Sequence, residues 1–98
     1  MNQYQLSAAV RDEVEKLDHR DDDAIYQRTE ELDREVKQRN IEAIFQDIRF
    51  IDLDPRVMGF TFDSVEFQEL ATAFARDVAE MFAKYERALV IVSHREAA

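Results

Sequence analysis

The chain has 98 residues, a net charge of −9 and 46% hydrophobic residues. This size suits one domain, and this apolar content excludes a disordered chain. Because there is one glycine, one proline and no cysteine, a disulfide framework is excluded and an all-β fold, which needs frequent turns, is disfavoured. We predict one mainly α domain over residues 1–98, a three-helix bundle with α+β as the alternative.

The negative charge also limits the classes of partner. An acidic surface repels phosphate backbones, so direct nucleic-acid binding is disfavoured and a protein partner is favoured. The chain begins Met-Asn-Gln-Tyr-Gln, without the basic and apolar regions of a signal peptide, and no run approaches the roughly 18 apolar residues of a membrane span. We therefore expect a cytoplasmic protein that does not contact membranes.

The first predicted helix covers about residues 5–19, where apolar residues recur at helical spacing from Leu6 to Leu17. Bases close this segment and Asp21, Asp22 and Asp23 follow it, an order that suits a helix end and a new helix start. One aspartate is the predicted N-cap of the second helix. A calcium loop would need alternating ligands and a glycine, so capping is the better interpretation of the triplet.

The second predicted helix covers 22–39, with an extension towards 48. Its apolar stripe, Ile25, Leu32 and Val36, is thin, so this helix must lie against an apolar surface, for which the last helix is the obvious candidate. From Ile41 the apolar residues continue on a rotated face. A kink or stop at Asn40 would explain the rotation.

Residues 49–62 break the helical pattern and contain the only proline, Pro55, and the only glycine, Gly59. The flanking residues alternate only in part, so a small β-hairpin and an irregular loop both remain open. Exposed apolar side chains at this turn would form an anchor for a partner, with candidates Phe50, Val57, Met58 and Phe60.

The longest helical pattern runs from 64 to 88 or beyond, after a capping box formed by Asp63 and Glu66. Its apolar stripe spans about 140°, which is wide enough to need cover from two sides. Residues 88–93 fit either continued helix or a short strand. Steps of four and three residues match a coiled-coil seam and predict a homodimer interface at Phe67, Ala71, Phe74, Val78, Met81, Tyr85, Ala88 and Val92. Leu70, Ala75, Phe82 and Leu89 are left to pack against the chain's other helices.

No motif indicates catalysis. The two histidines, His19 and His94, stand apart from any nucleophile and base pattern, and one glycine cannot build a phosphate loop. Glu31 with Glu35, and Glu66 with Glu69, superficially resemble the glutamate pairs of all-α, magnesium-dependent nucleotide pyrophosphohydrolases. The Glu-Glu-x-x-Glu run of that family is missing, so this is the weakest alternative. We predict no enzyme activity, no cofactor and no metal site.

The predicted function is that of a small acidic protein–protein interaction module, a regulator, adaptor or inhibitor that acts as a homodimer. Acids concentrate in the first half of the chain, and the predicted partner-binding acidic face is Asp12, Glu15, Asp22, Asp23, Glu30 and Glu31. The alternative is an acidic mimic of nucleic acid that blocks a nuclease or defence complex. This alternative is similar to phage-encoded inhibitors in size and charge only.

Overall fold

The computed structural model describes residues 3–18, 22–48 and 65–97. These ranges contain α1 (Gln3–Lys16), α2 (Asp23–Lys37), α3 (Ile41–Ile48), α4 (Val65–Ala73) and α5 (Ala75–Ala97), and no strand. The mainly α prediction is confirmed. The predicted hairpin or loop at 49–62 lies outside the described residues. Across these three ranges no helix has both the length and the apolar character to cross a membrane.

The 23-residue α5 is the central helix of the fold, because it packs along α2 and also against α1. It runs antiparallel to α2, since Glu30 pairs with Arg76 and Arg28, earlier in α2, pairs with Glu86, later in α5. The shared core is apolar, and its largest side chains with at most 1% exposure are Phe82, Ile25, Leu32, Ile41, Ile44, Val10 and Val36. The thin stripe of α2 is thus buried against α5, as the sequence predicts.

The start of α2 confirms the predicted aspartate cap. Asp22 has extended backbone angles, and its Oδ1 accepts hydrogen bonds from the N–H groups of Ala24 at 2.9 Å and Ile25 at 3.3 Å. These two donors have no carbonyl partner within the helix, so the cap stabilises α2 by about 1 kcal/mol.

The end of α2 explains why the apolar face rotates near Asn40. Arg39 has a left-handed backbone with φ of 63°, and its N–H bonds the Val36 carbonyl at 2.8 Å. The Asn40 N–H bonds the Glu35 carbonyl at 2.9 Å, which completes a Schellman motif. The motif ends α2 and α3 begins at Ile41 in a new direction, so the predicted stop is confirmed.

The predicted last helix is two helices, α4 and the longer α5, separated at Phe74. The Phe74 N–H still bonds the Leu70 carbonyl at 2.9 Å, and the Val78 N–H bonds the Phe74 carbonyl at 3.0 Å. The Thr72 hydroxyl donates to the Gln68 carbonyl at 2.8 Å, a side-chain bond that bends helices. The break therefore leaves the helical register in place. At its other end α5 stays helical through 88–93, so the strand alternative is wrong there.

Candidate functional site

The clearest exposed apolar feature among the described residues lies on the outer side of α4. Leu70 and Phe74 are each 55% exposed, and they stand one helical turn apart on the same side. Exposed Ala73 lies between them. We call these three residues the α4 surface. Large apolar side chains that remain exposed together mark interaction sites more often than isolated ones do.

The buried side of α4 lies next to this surface. Phe67 and Ala71 are buried against the rest of the chain, as is Ala75 at the start of α5. At 100° per residue Phe74 lies only about 20° around the helix from Phe67, so Leu70 and Phe74 stand at the edge of the buried side rather than opposite it, and there they stay exposed. The prediction that Leu70 packs against the chain's other helices is wrong, because its side chain is exposed.

A rim of acids surrounds the α4 surface. Glu66 and Glu69 precede Leu70 by four residues and one residue, and Asp77 follows Phe74 by three; all three are exposed. Asp77 and Phe74 also line the same open depression of about 290 Å³ at the α4–α5 junction. Within residues 3–18, 22–48 and 65–97, no base forms an ion pair with any of these three carboxylates.

The two bases beside the same depression already have acidic partners. The Lys37 ammonium lies 3.1 Å from the Asp33 carboxylate, and the Arg76 guanidinium is hydrogen-bonded to Glu30. The hydrogen bond to Glu30 is the largest cause of the raised pKa of Arg76, whose guanidinium also lies 5.8 Å from the centre of the Tyr26 ring. Counting the described residues, the local charge around the α4 surface is therefore negative.

Among the described residues two carboxylates are buried, and neither was predicted from the sequence. Glu13 is 7% exposed and bonds Arg95 at 2.9 Å, while Asp33 is 8% exposed and accepts from Lys37. A signal existed for Glu13, because it follows Val10 by three residues and therefore lies on the apolar face of α1. Oδ1 of Asp33 has no hydrogen-bond partner among the described residues.

A second opening lies between α2 and α5 and is about 170 Å³ in volume. Arg28 and Glu86 form an ion pair of 3.0 Å in its wall. Burial lowers the pKa of Arg28, but the hydrogen bonds to Glu31 and Glu86 outweigh it and the pKa is raised. This pair joins α2 to α5.

The predicted acidic face divides into two groups. Asp12, Glu15 and Asp23 are exposed, and they form no ion pair in the part of the chain that the structure describes. The other three have partners within the chain. Asp22 caps α2 and lies 3.7 Å from Arg87, Glu31 lies 2.9 Å from Arg28, and Glu30 bonds Arg76.

The predicted dimer positions also divide by exposure. Five are buried in the core of the single chain: Phe67, Ala71, Tyr85, Ala88 and Val92. Phe74 is exposed, and Val78 and Met81 are half-buried. The seam as a whole is therefore not a continuous free surface, because helices of the same chain cover most of it.

The remaining site predictions concern the apolar anchor and metal binding. The anchor residues Phe50, Val57, Met58 and Phe60 lie outside the described residues. In the ranges that are described, no three His, Asp or Glu side chains come together as a metal site. The predicted absence of enzyme activity, metal and cofactor stays a prediction.

Comparison with known proteins does not assign this chain to a class. No family model, no curated protein and no solved structure matches it. The function is therefore inferred from the geometry and charge of the chain itself.

Proposed function

We propose that this protein is a small acidic protein–protein interaction module, a regulator, adaptor or inhibitor that docks a partner protein on the α4 surface. The observation that carries the proposal is the exposure of Leu70 and Phe74, 55% each, one turn apart at a helix junction. Aromatic and aliphatic side chains that are half-exposed when free and become buried on binding supply much of the energy of protein interfaces.

The free energy gained by covering these two side chains is large enough to affect binding affinity. Full burial of a Leu or Phe side chain contributes about 1.5–3 kcal/mol, so covering the exposed half of each contributes about 1 kcal/mol. Two such contributions correspond to an affinity change of roughly 30-fold. In the folded chain less than half of each of these side chains is removed from water, so each adds little to stability.

Affinity capture from the lysate of the protein's own host tests this proposal. We expect the wild-type chain and Val90→Ser to retain the same partner, and Phe74→Ser to lose it. Val90 is a matched control because it is 41% exposed and lies near the far end of α5. If Phe74→Ser retained every protein that the wild type retains, the α4 surface would not be the docking site.

The predicted homodimer stays a prediction and is a competing occupant of the same surface. A second copy would reach Phe74, Val78 and Met81, since the other predicted positions are buried within the chain. Such a dimer would cover part of the α4 surface and would compete with another partner there.

The second candidate function is the acidic mimic. It is supported by the exposure of Asp12, Glu15 and Asp23 and by the net charge of −9. Binding of this kind depends on exposed charges, so it weakens steeply as salt rises. A basic nucleic-acid enzyme captured at low salt and released at half-molar salt, from wild type and Phe74→Ser alike, would favour the mimic.

A further inference from the structure

We propose that the partner segment that occupies the α4 surface is a basic amphipathic helix. Its apolar side chains would contact Leu70 and Phe74, and its lysines or arginines would pair with Glu66, Glu69 and Asp77. This inference rests on the proposed function, because it assigns the chemistry of the partner at the same surface.

The apolar part of the surface fits one helix face. Leu70 and Phe74 are separated by four residues, and Ala73 between them is small and exposed. A second helix laid across this face can place a large side chain over Ala73, between the two larger ones. The helical hydrogen bonds on both sides of Phe74 keep this spacing fixed.

The charged part of the surface selects the sign of the partner. Glu66, Glu69 and Asp77 are exposed acids around the apolar centre, while Lys37 and Arg76 are each paired with a carboxylate of the same chain. A basic segment would therefore meet acids at the rim that no base among the described residues neutralises. Complementary charge at a rim speeds association and rejects partners of the wrong sign.

The same charges disfavour two other occupants. A second copy also has a net charge of −9, and two-fold symmetry would bring identical acidic rims together. A nucleic acid would present phosphates to the acids and would leave Leu70 and Phe74 without apolar cover. The surface is suited to a cationic segment that also has an apolar face.

Fluorescence anisotropy with defined peptides tests the inference on the full chain. The probe is a labelled 14-residue helical peptide with leucines on one face and lysines on the other, and the control peptide has glutamate in place of lysine. At physiological salt we expect the lysine peptide to bind and the glutamate peptide not to bind. Phe74→Ser is expected to weaken binding by about tenfold, and Val90→Ser to leave it unchanged.

Two charge-neutralised variants locate the electrostatic contribution. The rim variant is Glu66→Gln with Glu69→Gln and Asp77→Asn, and it is expected to weaken binding by at least about tenfold. The control variant, Asp12→Asn with Glu15→Gln and Asp23→Asn, removes the same amount of charge elsewhere. We expect it to weaken peptide binding by less than about threefold, because these charges lie on α1 and at the start of α2. Circular dichroism and thermal melts establish that each variant is folded.

The outcomes separate this inference from the proposed function. If the rim and control variants weakened peptide binding equally, the peptide would be attracted to any acidic protein and the inference would be overturned. Failure of the lysine peptide to bind the wild type would also overturn it. If the peptide failed but Phe74→Ser still lost a neutral partner in the capture experiment, the interaction module would stand with a different partner chemistry. If Phe74→Ser changed neither assay, both proposals would fail.

Discussion

Phe74 and Phe82 form a matched pair that tests which residues belong to the core and which to the α4 surface. They are the same residue type, eight positions apart, but Phe74 is 55% exposed and Phe82 is fully buried. Truncation of a buried phenylalanine to alanine costs about 3–5 kcal/mol, because apolar contact is lost and a cavity remains. We therefore expect Phe82→Ala to remove a large part of the stability of the domain.

Phe74→Ala is expected to cost no more than about 1 kcal/mol, since less than half of its side chain is removed from water and no closed cavity forms. Urea unfolding followed by circular dichroism measures both variants against wild type. For a domain of this size each kcal/mol lowers the melting temperature by about 4–8 °C, so thermal melts should separate the pair clearly. Equal destabilisation by the two variants would refute the reasoning, because Phe74 would then be a core residue and could not serve as an open docking site.

Three further predictions concern a helix end, a buried tyrosine and self-association. Arg39→Gly is expected to stabilise the protein by about 1 kcal/mol in urea unfolding, because glycine adopts the left-handed backbone of Arg39 without a steric penalty; an unchanged midpoint would contradict this. Burial raises the pKa of Tyr85, so the folded state holds the phenol proton more tightly than the unfolded state. The resulting stabilisation is present below the ordinary tyrosine pKa of about 10 and is lost as the pH rises through the pKa of the folded state. Tyr85→Phe should therefore show a shallower loss of stability between pH 9 and 11, roughly the range over which tyrosine titrates, and an identical slope would exclude this role. If the predicted homodimer forms, light scattering at micromolar concentration should give a dimer mass for the wild type and a monomer mass for folded Phe74→Asp. A wild-type monomer mass that does not change when the sample is concentrated would contradict the homodimer.

The helices themselves were predictable because their signals are local. An aspartate cap could be predicted because Asp21, Asp22 and Asp23 follow the basic end of the first helix, and the structure assigns the cap to Asp22. The rotated apolar face from Ile41 indicated a helix stop near Asn40. Both features depend on hydrogen bonds to backbone groups between residues fewer than six positions apart, the cap through the Asp22 side chain and the stop through backbone carbonyls. The separation at Phe74 was missed because the apolar periodicity continues across it without a shift.

The α4 surface was only half predictable. Phe74 was predicted to lie in an interface with a second copy, whereas Leu70 was predicted to pack against helices of its own chain. The two side chains are equally exposed. Periodicity shows which residues share a side of a helix, but it does not show where neighbouring helices stop covering that side. The buried carboxylates of Glu13 and Asp33 were missed for a related reason, since their burial depends on α5 and on pairing with Arg95 and Lys37.

By itself, the sequence determined a mainly α chain, an acidic surface, an aspartate-capped second helix and an amphipathic last helix, because composition and periodicity act through local backbone preferences. Only the tertiary structure decided which apolar residues remain outside. Ala88 and Val92 follow Leu70 and Phe74 by about five full turns and so have the same angular positions on the stripe, yet Ala88 and Val92 are buried while Leu70 and Phe74 are exposed. That difference arises from the packing of helices that are distant in sequence, and no local pattern in the chain encodes it.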